Sequence, residues 1–187
     1  NWSMEELSSV AIDDEMAGET IVDYLIEHGH TKIAEIGANL ELSQTAILRH
    51  NGYLNSLKKH GITPDERYYE RARFSYDSAY RAMKKLLEKD IEITAVYAIS
   101  DVMAIGAIRA ILDKGLRVPE DISITGFDGS TLAEYYNPKI VSIRQPHKDM
   151  AARSVELLFN MIDLHKGSCH EIIPFELTEG KSVARID

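Results

Sequence analysis

Residues 94–129, TAVYAISDVMAIGAIRAILDKGLRVPEDISITGFDG, constrain the fold more than any other stretch, because they read as strand, helix and strand with a polar residue closing each strand. The β-branched and aromatic run Thr94 to Ile99 stops at Ser100-Asp101, which puts Ser100 at a strand's carboxyl end and lets Asp101 cap the next helix. Met103, Ala107, Ile108, Ile111 and Leu112 recur at helical spacing, Gly115 supplies a left-handed stop, and Pro119 forbids resumption. A second strand, Asp121 to Thr125, runs out at Gly126-Phe127-Asp128-Gly129, where the glycines permit a sharp turn. Two parallel strands joined by a right-handed crossover bring Ser100 and Asp128 to one rim of a sheet. That rim is where open α/β sheets bind ligands.

The rest of the chain repeats the alternation. Ser9 to Ile12 reads as a short strand ending at Asp13-Asp14, with Asp14 a cap for a helix whose apolar stripe is Ile21, Val22, Leu25 and Ile26. His28-Gly29-His30 ends that helix, and both histidines read as capping or surface groups. Lys32 to Ile36 is the next strand, and the polar 38–44 loop leads to a helix that begins at Ser43 or Thr45 and finishes at Gly61. Arg49 lies near its start, the wrong end for a cation if only the helix dipole mattered, so it needs another partner. Tyr68 to Arg73 reads as a strand with Phe74 at its end, and Tyr76 to Glu88 as a helix with Tyr80, Met83, Leu86 and Leu87 inward. Residues 130–138 read as irregular, Ile140 to Ile143 as a strand ended by Gln145-Pro146, and Asp149 to His165 as a long helix stopped by Gly167. Glu171 to Leu177 and Lys181 to Ile186 are extended segments about a hairpin-like turn at Glu179-Gly180. The order specifies an α/β fold with a doubly wound, mainly parallel sheet.

Collected at the carboxyl ends of the strands are the 38–44 loop with Arg49 behind it, Phe74, Ser100, Asp128 and Gln145. A forked cation, an aromatic face, a hydroxyl, a carboxylate and an amide suit a neutral molecule dense with hydroxyl groups. Replacing Arg49 or Asp128 by alanine is expected to weaken binding and leave the fold intact.

Catalytic signatures are absent: there is no G-x-S-x-G elbow, phosphate loop, G-x-G-x-x-G or H-E-x-x-H. Cys169-His170 reads either as nucleophile with base or as strand neighbours facing opposite ways, and Asp13-Asp14 either as an acidic metal pair or as a helix cap beside a solvated carboxylate. With 30 acidic against 21 basic residues the net charge is -9, so the chain repels a polyanion. A single cysteine fits a reducing compartment, and no apolar run approaches the length of about 18 that a membrane span requires. The expectation is a cytoplasmic protein without cofactor, catalytic residue or metal.

In order and spacing the chain resembles the effector-binding region of the lac and galactose repressor family. The stretches that carry the likeness are Ser9 to Asp14 with Gly18, Leu25 to Ile33, Arg49 to Tyr53, Ser100 to Ala107, Gly115 to Ser123, Gly126-Phe127-Asp128 and Ile143 to Pro146. The resemblance implies a periplasmic-binding-protein-like, two-lobed sensor that closes on a small effector, usually a sugar, and changes the DNA affinity of an attached headpiece. It implies ligand contacts at Arg49, Phe74, Asp128 and Gln145; Ser100 stands where the family usually has asparagine. It also implies a homodimer that meets through Ile105, Tyr135 and Tyr136. The headpiece and first part of the amino-terminal lobe are expected to be missing, leaving 15–140 with 170–187 as the carboxyl-terminal lobe, and 1–14 with 141–169 as parts of the other. Rival readings are a transport sugar-binding protein, separated by the parent's amino terminus, and a sugar-phosphate enzyme, separated by turnover.

Overall fold

A computed structural model describes residues 8–41, 43–164 and 168–186. The order is β1 (Ser9–Ala11), α1 (Asp14–Glu27), β2 (Ile33–Gly37), α2 (Gln44–Lys59), β3 (Tyr69–Arg71), α3 (Tyr76–Glu88), β4 (Ala95–Ala98), α4 (Asp101–Asp113), β5 (Ser123–Thr125), α5 (Thr131–Tyr135), β6 (Ser142–Arg144), α6 (His147–Leu164), β7 (His170–Ile172) and β8 (Glu176–Thr178). The chain divides into two compact units, one of residues 1–13 with 145–176 and one of residues 14–144 with 177–187.

The larger unit carries a four-stranded parallel sheet in the order β3-β2-β4-β5. Parallel bridges from Thr125 to Val141 and from Asp128 to Arg144 carry the pairing on to β6, which pairs with β8. Helices α1 and α2 pack together, as do α3 and α4, so the two helix pairs cover the sheet from both sides. This is why β2 and β4 are buried along their whole length and read as continuous apolar runs. Tyr97, Phe127, Ile36, Ile108 and Ile124 are among the large side chains fully inside.

In the smaller unit β1 and β7 pair in parallel, and Arg153 of α6 makes a forked ion pair with Glu171 of β7. Val155, Leu158, Phe159 and Ile162 of α6 are exposed.

Several expectations need correction. Residues 131–135 form the short helix α5, whose cap is Ser130, rather than irregular chain. Glu179-Gly180 joins no hairpin: β7 pairs with β1, and β8 with β6. Residues 181–186 are part of the larger unit, held by isolated bonds that include Lys181 N to Lys139 O at 2.7 Å and Ile186 N to His28 O at 2.9 Å, and form no strand. Leu112, one of the apolar residues at helical spacing, is half exposed. Ser100 caps α4, and Asp101 is its first residue. Gly115 does take the left-handed conformation, at φ 82°. The expected stop of α6 at His165 and Gly167 lies outside the described residues.

Candidate functional site

Ser43 caps α2, its hydroxyl accepting from Ala46 N at 3.2 Å, which brings Arg49 within two turns of the helix start. The partners that such a cation needs come from three other segments. Nε donates to Asp14 Oδ1 at 2.8 Å, Nη1 donates to the carbonyl of Ile99 at 2.6 Å, and the guanidinium lies 3.5 Å from the centre of the Phe127 ring. Asp128 Oδ1 is 3.6 Å from Nη1. Arg49 is 5% exposed, so these are contacts in a largely desolvated place, where charge-assisted bonds count for most.

Local packing fixes this geometry. Helices α1 and α2 cross with their backbones in contact: a Cβ on Gly18 would sit 2.8 Å from Arg49 O, and one on Gly52 would run into Glu15 O. That approach sets Asp14, the first residue of α1, against Arg49. Asp14 is thus an ion-pair partner, neither a helix cap nor a solvated carboxylate.

Asp128 sits in the turn after β5 with φ 112°, the one non-glycine residue at positive φ among the described residues. Its N–H donates to Ile143 O at 2.9 Å. Such a backbone costs about 1–3 kcal/mol and persists only where its surroundings hold it. The structure therefore brings Arg49 and Asp128 together at the carboxyl rim, with Ser100 one residue beyond the Ile99 carbonyl. Ser100 is buried, and its hydroxyl accepts from Met103 N at 3.3 Å. Phe74, 49% exposed, follows edge strand β3, which β2 separates from β4. Gln145 belongs to the smaller unit, where its carbonyl accepts from His147 N at 2.9 Å.

The family model for a periplasmic binding protein-like domain matches residues 22–183. The chain belongs to that family. It is 41% identical over 179 residues to the HTH-type transcriptional regulator MalR of Clostridium butyricum, covering 96% of this chain and 53% of that protein. To the HTH-type transcriptional repressor PurR of Vibrio atlanticus it is 34% identical over 179 residues, covering 95% and 52%. A solved complex of the transcriptional regulator CelR with cellobiose superposes with TM-score 0.91 at 32% identity, covering 96% of this chain and 55% of that one. The chain spans about half the length of the curated relatives it matches. These relatives are regulators, as the resemblance implied. Among the described residues no helix is long and apolar enough to cross a membrane.

Within this periplasmic binding protein-like domain lie buried polar groups that pattern reading passed over. Glu35 of β2 is wholly buried and shares a 2.6 Å hydrogen bond with His50 Nδ1; its other oxygen has no partner. Burial pushes the Glu35 carboxyl up, and the Glu35 bond pushes His50 up. His30 is no surface group: it is buried between the Thr94 hydroxyl at 3.1 Å and the Ala184 carbonyl at 3.0 Å, and burial lowers its pKa. The one available signal was Glu35 standing inside the apolar run IAEIG. Cys169 Sγ lies 3.8 Å from Glu171 Oε1, and His170 Nδ1 lies 2.9 Å from Ser9 Oγ, so each has a partner other than its chain neighbour.

Proposed function

We propose that the chain is the effector-sensing part of a DNA-binding transcriptional regulator, and that its effector is a sugar. The observation that carries this reading is the Arg49–Asp128 pair: a guanidinium already held in place beside a carboxylate, on the rim where parallel α/β sheets take ligands. A fork of donors next to a fork of acceptors grips adjacent hydroxyls, each of which both donates and accepts. Phe74, Ser100 and Gln145 complete the proposed contact set. Kinship with regulators, one of them solved with cellobiose, supports the assignment.

On this reading residues 15–140 and 170–187 form the carboxyl-terminal, effector-binding lobe, and 1–14 with 141–169 belong to the amino-terminal lobe. The parent works in the cytoplasm as a homodimer that meets through Ile105, Tyr135 and Tyr136, of which Tyr135 is 83% exposed. It performs no catalysis and needs no cofactor. DNA contact falls to a headpiece outside these 187 residues, because a net charge of -9 opposes phosphate binding here.

Calorimetric titration with a sugar panel that includes cellobiose and ribose tests the proposal. Saturable binding to one member is expected, weakened roughly tenfold or more by Asp128→Asn, since a bond to a charged group contributes about 1.5–3 kcal/mol. The chain alone should give no competitor-resistant shift of duplex DNA. A panel without a binder sinks the sugar assignment, and chemical turnover of a bound sugar establishes an enzyme instead.

A further inference from the structure

We propose that Asp101 is a positioning residue for the effector site: it clamps the turn 126–130 so that the carboxylate of Asp128 faces Arg49. The inference rests on the reading of Asp128 as a ligand contact.

Asp101 is buried at the start of α4, where an uncompensated carboxylate would be costly. Its partners are all in or beside the turn. Oδ2 accepts from Ser130 N at 2.6 Å, Oδ1 accepts from Ser142 Oγ at 2.6 Å, and its own N–H donates to Phe127 O at 2.7 Å. Ser142 Oγ in turn accepts from Gly129 N at 3.0 Å. Gly129 and Ser130 are thus gathered onto the Asp101 side chain and its serine partner, and Phe127 onto the Asp101 backbone. The residue enclosed between them is Asp128, with its φ of 112°. Gly126 completes the fit, because a Cβ there would collide with Asp101 Oδ1.

Only an ionised carboxylate meets these demands. An asparagine amide has one acceptor oxygen; if that takes the Ser130 N–H, its NH2 faces Ser142, whose hydroxyl then has to turn away. The isosteric change therefore weakens one arm of the clamp, from a charge-assisted bond to a neutral one with the donor reversed, and adds no bulk. Burial raises the Asp101 pKa, opposed by the bonds from Ser142 and Ser130, so acid works against the clamp.

The test uses the 187-residue chain. The three-bond HN–Hα coupling of Asp128 reports φ without ligand. It should be small in the parent and move towards the larger extended-chain value in Asp101→Asn, while melting stays cooperative. An unmoved coupling overturns the proposal. Ser142→Ala, which cuts the same arm from the other side, should move it likewise, and it decides the matter if Asp101→Asn does not fold; Ser142→Thr should restore it. In calorimetry with cellobiose, Asp101→Asn should weaken binding at least about tenfold, and adding it to Asp128→Asn should weaken binding less than about twofold further. Fully additive losses would make Asp101 a general stabiliser and refute the clamp. Absence of cellobiose and ribose binding to the parent chain counts against the sugar assignment, and the coupling still decides on the clamp.

Discussion

Replacing Arg49 by methionine, which keeps most of the side-chain volume and removes the charge, tests whether the ion pair is as buried as its geometry says. Arg49 and Asp14 have side chains 6% and 13% exposed, so solvent does little to relieve an unpaired carboxylate. Breaking a buried pair from one side costs about 3–5 kcal/mol, most of it from the orphaned partner. The unbonded Ile99 carbonyl acts in the same direction. Set against a total stability of about 5–15 kcal/mol, this is a large share. Alanine at Arg49 is therefore no clean probe of binding, contrary to the expectation from sequence, because the arginine is part of the core. Amide exchange in α1 and α2 reads the loss directly and avoids a two-state assumption for a chain with two units. Adding Asp14→Leu to Arg49→Met should restore stability to within about 1–2 kcal/mol of the parent, as the stranded charge disappears. A single-variant loss below about 1 kcal/mol, or a double variant as unstable as the single, would refute the reasoning.

Three further outcomes are expected. The pKa of His50 is raised in the fold, so its contribution to stability is full below its unfolded value of 6.5 and is lost as pH rises through the folded value; Glu35, also raised, has the same sign from 4.5 upward. Melting temperature should therefore fall less steeply above about pH 6.5 in His50→Gln than in the parent, and parallel pH profiles would contradict this. Gly52→Ala should push α1 from α2 and cost about 1–3 kcal/mol in urea unfolding, with a loss under about 0.5 showing that the helices can part freely. Charged residues at Ile105 and Tyr136 should convert the proposed dimer to monomer in sedimentation, and an unchanged dimer would move the interface elsewhere.

The crossover from Thr94 to Gly129 was legible because each of its signals is local: a β-branched run, a helical stripe, a left-handed glycine and a proline. Arg49 was legible as an anomaly, a cation at the wrong end of a helix, although its partners were not, since Asp14, Ile99 and Phe127 reach it only through tertiary packing. Glu35 escaped notice because a charge within a strand ordinarily marks a solvated face, and only the double layer of helices makes both faces of β2 interior. Cap assignment slipped by one residue at Ser100 and Asp101, since either residue type can cap and Asp101 is claimed by Ser130 and Ser142, which are distant in sequence. The 181–186 segment has strand composition, but its hydrogen bonds are spread over Lys139, Val141, His28, His30 and β5, many of them through side chains, so no ladder forms.

If Arg49 contacts the effector as proposed, its immobilised guanidinium bears on how tightly that molecule is held. A free arginine side chain carries about 2 kcal/mol of rotamer entropy, which a ligand gripping it would have to overcome. In this chain Asp14, the Ile99 carbonyl and the Phe127 ring have already removed that freedom during folding. On the proposed reading, in which Arg49 contacts the effector, recognition is then fast and nearly rigid on the Arg49 side.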